Sequence, residues 1–230
     1  MSLPILLNQQ LINIPLSWNE LTLAQYTRMY NAPTDGNDYL APIAALLTID
    51  KHLLESLPEE KLTGIVLKNL LWLNNLPNNL SAKHCPAYLQ ITDALHPVPQ
   101  SFEHLKFGQV LLFQSVLSEH TDKQTGALNP KAYTKLLAIV FSAEDNEPMS
   151  DKRVDALEAQ LQHTPFTEAM PVLNFFLSCW QHLNNANIPP LTATAPPKKS
   201  RQALSVLKNS GLTRWYAWLC RPKTLRTTKP

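Results

Sequence analysis

The sequence predicts a mainly α-helical protein: a helical bundle with a small N-terminal β-ribbon and a linked C-terminal amphipathic helix. Three observations carry that expectation. Apolar residues recur at three- and four-residue steps through most of the chain, the spacing that places side chains on one helix face. Cap patterns of Ser, Thr, Asp or Asn stand ahead of those segments. The 230 residues hold only five Gly against nineteen Pro. Phosphate-cradling loops and tight hairpins need glycine at fixed places, so nucleotide-binding α/β folds fit poorly. At 44 % hydrophobic residues the chain can bury a substantial core.

Leu3 to Leu7 and Leu11 to Ile14 flank Asn8-Gln9-Gln10 and read as a β-ribbon, the one good hairpin in the sequence. From Ser17 the signals turn helical. Ser17 precedes Glu20 by three residues and Thr22 precedes Gln25 by three, two successive capping-box patterns. Leu23, Tyr26, Thr27 and Tyr30 follow at helical spacing until the turn Pro33-Thr34-Asp35-Gly36-Asn37. A second helix spans Asp38 to Ile49, with Pro42 tolerable in its first turn, and Asp50 caps the short segment Lys51 to Leu57. Pro58-Glu59-Glu60 opens a helix carrying Leu62, Ile65, Val66, Asn69, Leu70 and Leu73, about 27 Å long and ending near Asn74-Asn75.

Between residues 76 and 101 Pro77, Pro86, Pro97 and Pro99 forbid a long helix, and Tyr88-Leu89-Gln90-Ile91 is a strand candidate able to pair with the N-terminal ribbon. Phe107 to Glu119 is apolar and helical, and the polar turn His120 to Gly126 follows. Asn129-Pro130 is a cap followed by proline, opening Lys131 to Ser142. Ser150 caps Asp151 to Gln162, with Val154, Leu157 and Leu161 as its buried stripe. Thr164-Pro165 repeats the cap-then-proline device for a helix through His182.

Over residues 184–200 the pattern collapses into NNANIPPLTATAPPKKS, two Pro-Pro pairs among small residues: a semi-rigid linker of at most about 50 Å. The chain thus divides into a helical body (1–183), a Pro-rich linker (184–200) and a basic aromatic tail (201–230).

The familiar motifs GxSxG, GxxxxGK[ST], HExxH, CxxC and GxGxxG do not occur. Cys179 and His182 lie three apart on one helix face and suit zinc, but two further ligands are needed and neither His84-Cys85 nor His163 has a recommending spacing; a core thiol and a surface histidine are the plainer reading. Asp35 to Asp38 lacks the alternation of a calcium loop. The neighbouring pairs Glu59-Glu60, Glu144-Asp145 and Glu119-His120 sit at helix starts or in polar loops, where adjacent side chains do not converge. No nucleophile has an evident base. The expectation is a protein without catalytic, metal or cofactor residues. The three cysteines, Cys85, Cys179 and Cys220, are widely spaced and fit a reducing compartment. MSLPILLNQQ has no basic leader, and no apolar run approaches the roughly 20 residues of a membrane span.

Net charge is +2, but it conceals a division. From Lys198 onward stand nine cations and no acid, which leaves 11 basic against 18 acidic side chains in the rest of the chain. Within the tail Leu204, Leu207, Gly211, Trp215 and Trp218 form an apolar stripe. Lys208, Arg214, Trp215, Tyr216, Trp218 and Arg221 are the candidate partner-binding residues, with the aromatics as anchors. Three uses stay open: docking on a protein partner or on the chain's own acidic body, contact with nucleic acid through phosphates and stacking, and binding at an anionic membrane surface.

Several segments together resemble one family. NIPLSWNELTLAQYTRMYN, ALLTIDKHLLESLPEEKL, HLKFGQVL, VLNFFLSCWQHL and SGLTRWYAWL are similar to stretches of tailed-bacteriophage and prophage virion-assembly proteins of the tail-assembly-chaperone type. The resemblance implies a non-enzymatic protein of the host cytoplasm that covers an apolar helical partner such as the tape measure. It leaves room for a permanent virion subunit, a head–tail connector or tail-completion protein, and for a nucleic-acid-binding accessory acting through the basic tail.

Overall fold

The computed structural model describes residues 2–7, 9–33, 39–142 and 149–184. Over these residues the protein is mainly α-helical, with two small two-stranded sheets. Strands β1 (Leu3–Leu7) and β2 (Gln10–Ile14) pair antiparallel, with Ile5 opposite Ile12 and Leu6 opposite Leu11. Alternation along the strands sends Leu7, Ile12 and Ile14 into the core and Leu6 and Leu11 outward. Helices α1 (Leu23–Asn31), α2 (Leu40–Leu47) and α3 (Lys51–Glu55) follow. Thr22 and Gln25 form the reciprocal cap that the spacing predicts, and Asp50 accepts the backbone N–H of His52. Ser17 and Glu20 behave differently. Ser17 precedes a 3-10 turn over Trp18–Glu20 without a side-chain cap, and Glu20 accepts the N–H of Leu16.

The expected single helix over 58–75 is corrected. A short α4 (Glu59–Lys61) continues as a π-helical turn over Leu62–Leu67, and Leu71–Asn74 forms a separate 3-10 turn. Gly64 lies inside the π turn, where the missing side chain weakens the α-helical preference. Residues 88–97 are a second correction. Strands β3 (Tyr88–Ile91) and β4 (Ala94–Pro97) pair with each other, so β3 does not join the N-terminal ribbon. The two-residue turn between them holds Thr92 at a positive φ of 54°.

The helices α5 (Phe107–His120), α6 (Tyr133–Phe141), α7 (Asp151–Leu161) and α8 (Phe166–Asn184) build the second half. Asn129 and Ser150 cap as predicted. Helix α6 is buried on nearly every side, from Leu136 through Phe141, and packs against α5, α7 and α8. Its all-apolar run is therefore the central element of the core. The Thr164 side chain does not cap α8: its hydroxyl is buried without a hydrogen-bond partner among the described residues. Its backbone is used instead. The carbonyls of Thr164 and Gln162 accept the N–H groups of Leu23 and Ala24, and Phe166 donates to Leu21, so the α7–α8 turn closes the open start of α1.

Two aromatic clusters fill the space between these elements. Trp18, Tyr26, Tyr133 and Phe166 meet where α1, α6 and α8 converge, with Tyr26 and Phe166 centroids 4.3 Å apart. Phe102, Phe113, Phe176 and Trp180 form the other, between α5 and α8.

Candidate functional site

The residues that the sequence singles out for partner binding, Lys208, Arg214, Trp215, Tyr216, Trp218 and Arg221, lie outside the described residues, as do the expected C-terminal helix and the linker from 185 on, whose first residue Asn184 ends α8. Asp35 to Asp38 and Glu144-Asp145 lie outside them too. The body presents an exposed apolar surface of its own, built on α5.

Helix α5 turns Gln109, Phe113 and Val116 inward. At about 100° per residue, Phe107, Leu111, Gln114 and Ser118 fall within one narrow arc on the opposite side. All four are exposed, and Phe107 and Leu111 are 77 % and 50 % accessible, one turn apart. The row extends for about 16 Å along the helix. Its orientation is fixed from below. Gln109 is buried, accepts the N–H of Lys106 at 2.8 Å, and donates to the carbonyls of Ile139 and Val140 in the last turn of α6. One amide thus ties the start of α5 to the end of α6 and holds the row, apolar at Phe107 and Leu111, toward solvent.

Toward its C-terminal half the row opens into a cleft of about 480 Å³ between α5, α8 and the turn 121–128. Leu117, Leu128, Leu177 and Trp180 supply its apolar lining, with Gln114 and Ser118 on the α5 side. Trp180 is anchored by its ring contacts with Phe102 and Phe113, 5.6 and 6.3 Å between centroids. The far wall is shaped by the Thr121–Leu128 bridge and by Gly126, whose φ of +69° the turn requires. Asp122 accepts the N–H groups of Gln124 and Thr125, which hold its carboxyl below the usual aspartate range. It places negative charge next to the cleft-lining Thr121, while Lys123 supplies positive charge in the same turn. A groove of this kind, with an apolar floor, an aromatic wall and a polar rim, suits the apolar face of an amphipathic helix.

The other sequence candidates do not converge in this way. Glu59 and Glu60 occupy the first turn of α4, and Glu119 and His120 meet only at 3.9 Å near the surface. His163 lines a polar cleft of about 320 Å³ with Glu20, Gln25 and Arg28, whereas His84 lies with Tyr88 and Glu168 in another of about 290 Å³. The fold does bring Cys85 near Cys179. Burial first, and the neighbouring Cys179 second, push the Cys85 thiol up to about 11, so it is a protonated, unreactive thiol at neutral pH. Among the described residues no three His, Cys, Asp or Glu side chains are grouped to hold a metal ion, and no helix is long and apolar enough to cross a membrane.

No protein-family model, curated protein or solved structure matches the chain. The α5 row is the feature that reading the sequence missed. Its signal is present as Phe107 and Leu111 four apart, opposite Gln109, Phe113 and Val116; a helix apolar on two faces has one face without a partner in the core.

Proposed function

We propose that this chain is a non-enzymatic tail-assembly protein of a tailed bacteriophage or prophage, which binds an apolar helical partner such as the tape measure in the manner of a chaperone. In this reading the body is a helical bundle, and residues 201–219 form an amphipathic helix carried on the 184–200 linker. The observation that supports it best is the exposed Phe107–Leu111 row running into the cleft of Leu117, Leu128, Leu177 and Trp180. Exposed apolar surface of this form has a cost in water that a bound helix removes. Contact with a long helix needs only a row of anchors spaced at one turn, which Phe107 and Leu111 provide.

The test is co-expression with the tape-measure protein of the same phage. The full chain is expected to co-purify with it, and the double variant Phe107→Asp, Leu111→Asp to lose that capture while remaining folded. Capture unaffected by the double variant would remove the groove from the function. Stoichiometric presence of the chain in purified particles would replace the chaperone reading with that of a virion subunit.

A further inference from the structure

The groove has a second candidate occupant in the same molecule. Helix α8 ends at Asn184, one turn beyond Trp180 and Gln181, both of which line the cleft. The chain therefore leaves the body at the groove's mouth. The 19 residues 185–203 then precede Leu204, the first residue of the tail's apolar stripe. A linker of that length reaches back over a cleft next to its origin with slack, whether extended or coiled.

We propose that the tail's apolar stripe, Leu204, Leu207, Gly211, Trp215 and Trp218, docks in cis along the α5 row and into the α5–α8 cleft. Three properties match. The stripe lies at helical spacing and carries two indoles, and the groove offers an apolar floor with exposed anchors at one-turn spacing. The tail carries nine cations from Lys198 onward with no acid, whereas the rest of the chain carries 18 acids against 11 cations, with Asp122 next to the cleft-lining Thr121. Attachment next to the groove raises the tail's effective concentration to roughly the millimolar range, well above that of a second copy's tail in dilute solution. The inference rests on the reading that this groove binds a helix, and it gives the tail the role of a resident occupant that a partner helix must displace.

The test uses the full chain with Cys85→Ser and Cys179→Ser, so that Cys220 in the tail is the remaining native thiol. A short bismaleimide is offered to this protein carrying one added thiol, either Ser118→Cys at the groove or Ser2→Cys at the cleft beside β1 and β2. The expected result with Ser118→Cys is an intramolecular link to Cys220, independent of protein concentration and about tenfold faster than the link formed with Ser2→Cys. The tail variant Trp215→Asp, Trp218→Asp is expected to abolish that preference. Equal rates for the two added thiols, or a groove-linked product that is a dimer growing with concentration, would overturn docking in cis. Hydrogen exchange gives a second measurement with the native cysteines in place: protection at 114–118 and 177–181 should fall in the tail variant, and unchanged protection overturns the proposal. Partner capture without the groove link would leave the proposed function standing and remove the docking; the link without capture would do the reverse.

Discussion

The indoles of Trp18 and Trp72 exchange hydrogen bonds with each other's chain segments. Trp18 Nε1 donates to the carbonyls of Trp72 at 3.1 Å and Asn75 at 2.7 Å, and Trp72 Nε1 donates to that of Pro15 at 3.0 Å. The rings meet edge to face, with centroids 5.2 Å apart. This exchange joins the exit of the β-ribbon to the irregular segment after the π turn, two stretches whose local hydrogen bonding is incomplete. Trp18→Phe keeps most of the ring burial but takes a donor from the Asn75 carbonyl, whereas the Trp72 carbonyl keeps the N–H of Asn75, and should cost about 1 kcal/mol. Trp72→Phe should cost about 1 kcal/mol. Because the rings touch, the double variant should depart from additivity by roughly 0.5–1.5 kcal/mol in chemical denaturation. Strict additivity would mean that the two indoles act separately.

How much of this was legible in the sequence follows from the range of each interaction. The caps at Thr22, Asp50, Asn129 and Ser150 are decided within three residues, and they stand where the spacing puts them. Strand β4 escaped notice because Ala94-Leu95-His96-Pro97 lacks apolar alternation and ends on a proline; its pairing with β3 is made by a turn at Thr92, not by a hydrophobic pattern. The Trp18–Trp72 exchange spans more than fifty residues and has no local signature. The two apolar faces of α5 were legible in the sequence, but only packing against α6 and α8 decides which of them is left outside.

Gln109 shows how a buried polar residue sets that choice. It satisfies its own amide and three backbone groups, the N–H of Lys106 and the carbonyls of Ile139 and Val140. Gln109→Leu is nearly isosteric, yet it removes the amide's bonds to Lys106, Ile139 and Val140, of which the Ile139 carbonyl keeps the N–H and hydroxyl of Ser142, and should destabilise the protein by about 1–3 kcal/mol. The loss should appear as a lower denaturation midpoint with accelerated hydrogen exchange at the start of α5. A neutral substitution would show that α5 keeps its orientation by apolar packing alone.

Two glycines should respond to alanine with opposite signs. At Gly64 an added methyl meets nothing within 4 Å in a helical turn, so Gly64→Ala should stabilise by about 0.5–1 kcal/mol through helix preference. The space around Gly126 is equally open, but its φ of +69° is unfavourable for a side chain, and Gly126→Ala should destabilise by about 1 kcal/mol. Since both sites are free of steric contact, thermal unfolding of the pair separates backbone preference from packing. A loss of stability at Gly64 would mean that the π turn requires glycine.

The tyrosine pair at the first aromatic cluster makes stability fall in alkali. Burial holds the Tyr133 phenol up to about 12 and pushes Tyr26 higher still. In the unfolded chain both ionise near the usual value of about 10. Between these values the unfolded state has lost protons that the folded state retains, so the free energy of unfolding decreases as pH rises through that window. Tyr133 alone should contribute a loss of roughly 2 kcal/mol by pH 12. Absorbance titration of the six tyrosines should show Tyr133 ionising late and Tyr26 only as the fold is lost. Normal titration of all six would contradict the packing of Tyr26 between Phe166 and Tyr133.

The α5 row predicts a separation of stability from binding. Phe107 and Leu111 are largely exposed, so Phe107→Ser and Leu111→Ser should change stability by less than about 0.5 kcal/mol each. Phe113 lies on the same helix, fully buried between Phe102 and Trp180, and Phe113→Ser should cost about 4 kcal/mol. If the outer row exists to receive a helix, the first two variants should lose the co-purifying partner at unchanged stability. If Phe107 instead belongs to the core of the folded body, its replacement will lower the melting temperature as a core substitution does. The comparison of melting and capture for these three variants therefore tells a surface kept apolar for a partner from one that belongs to the fold.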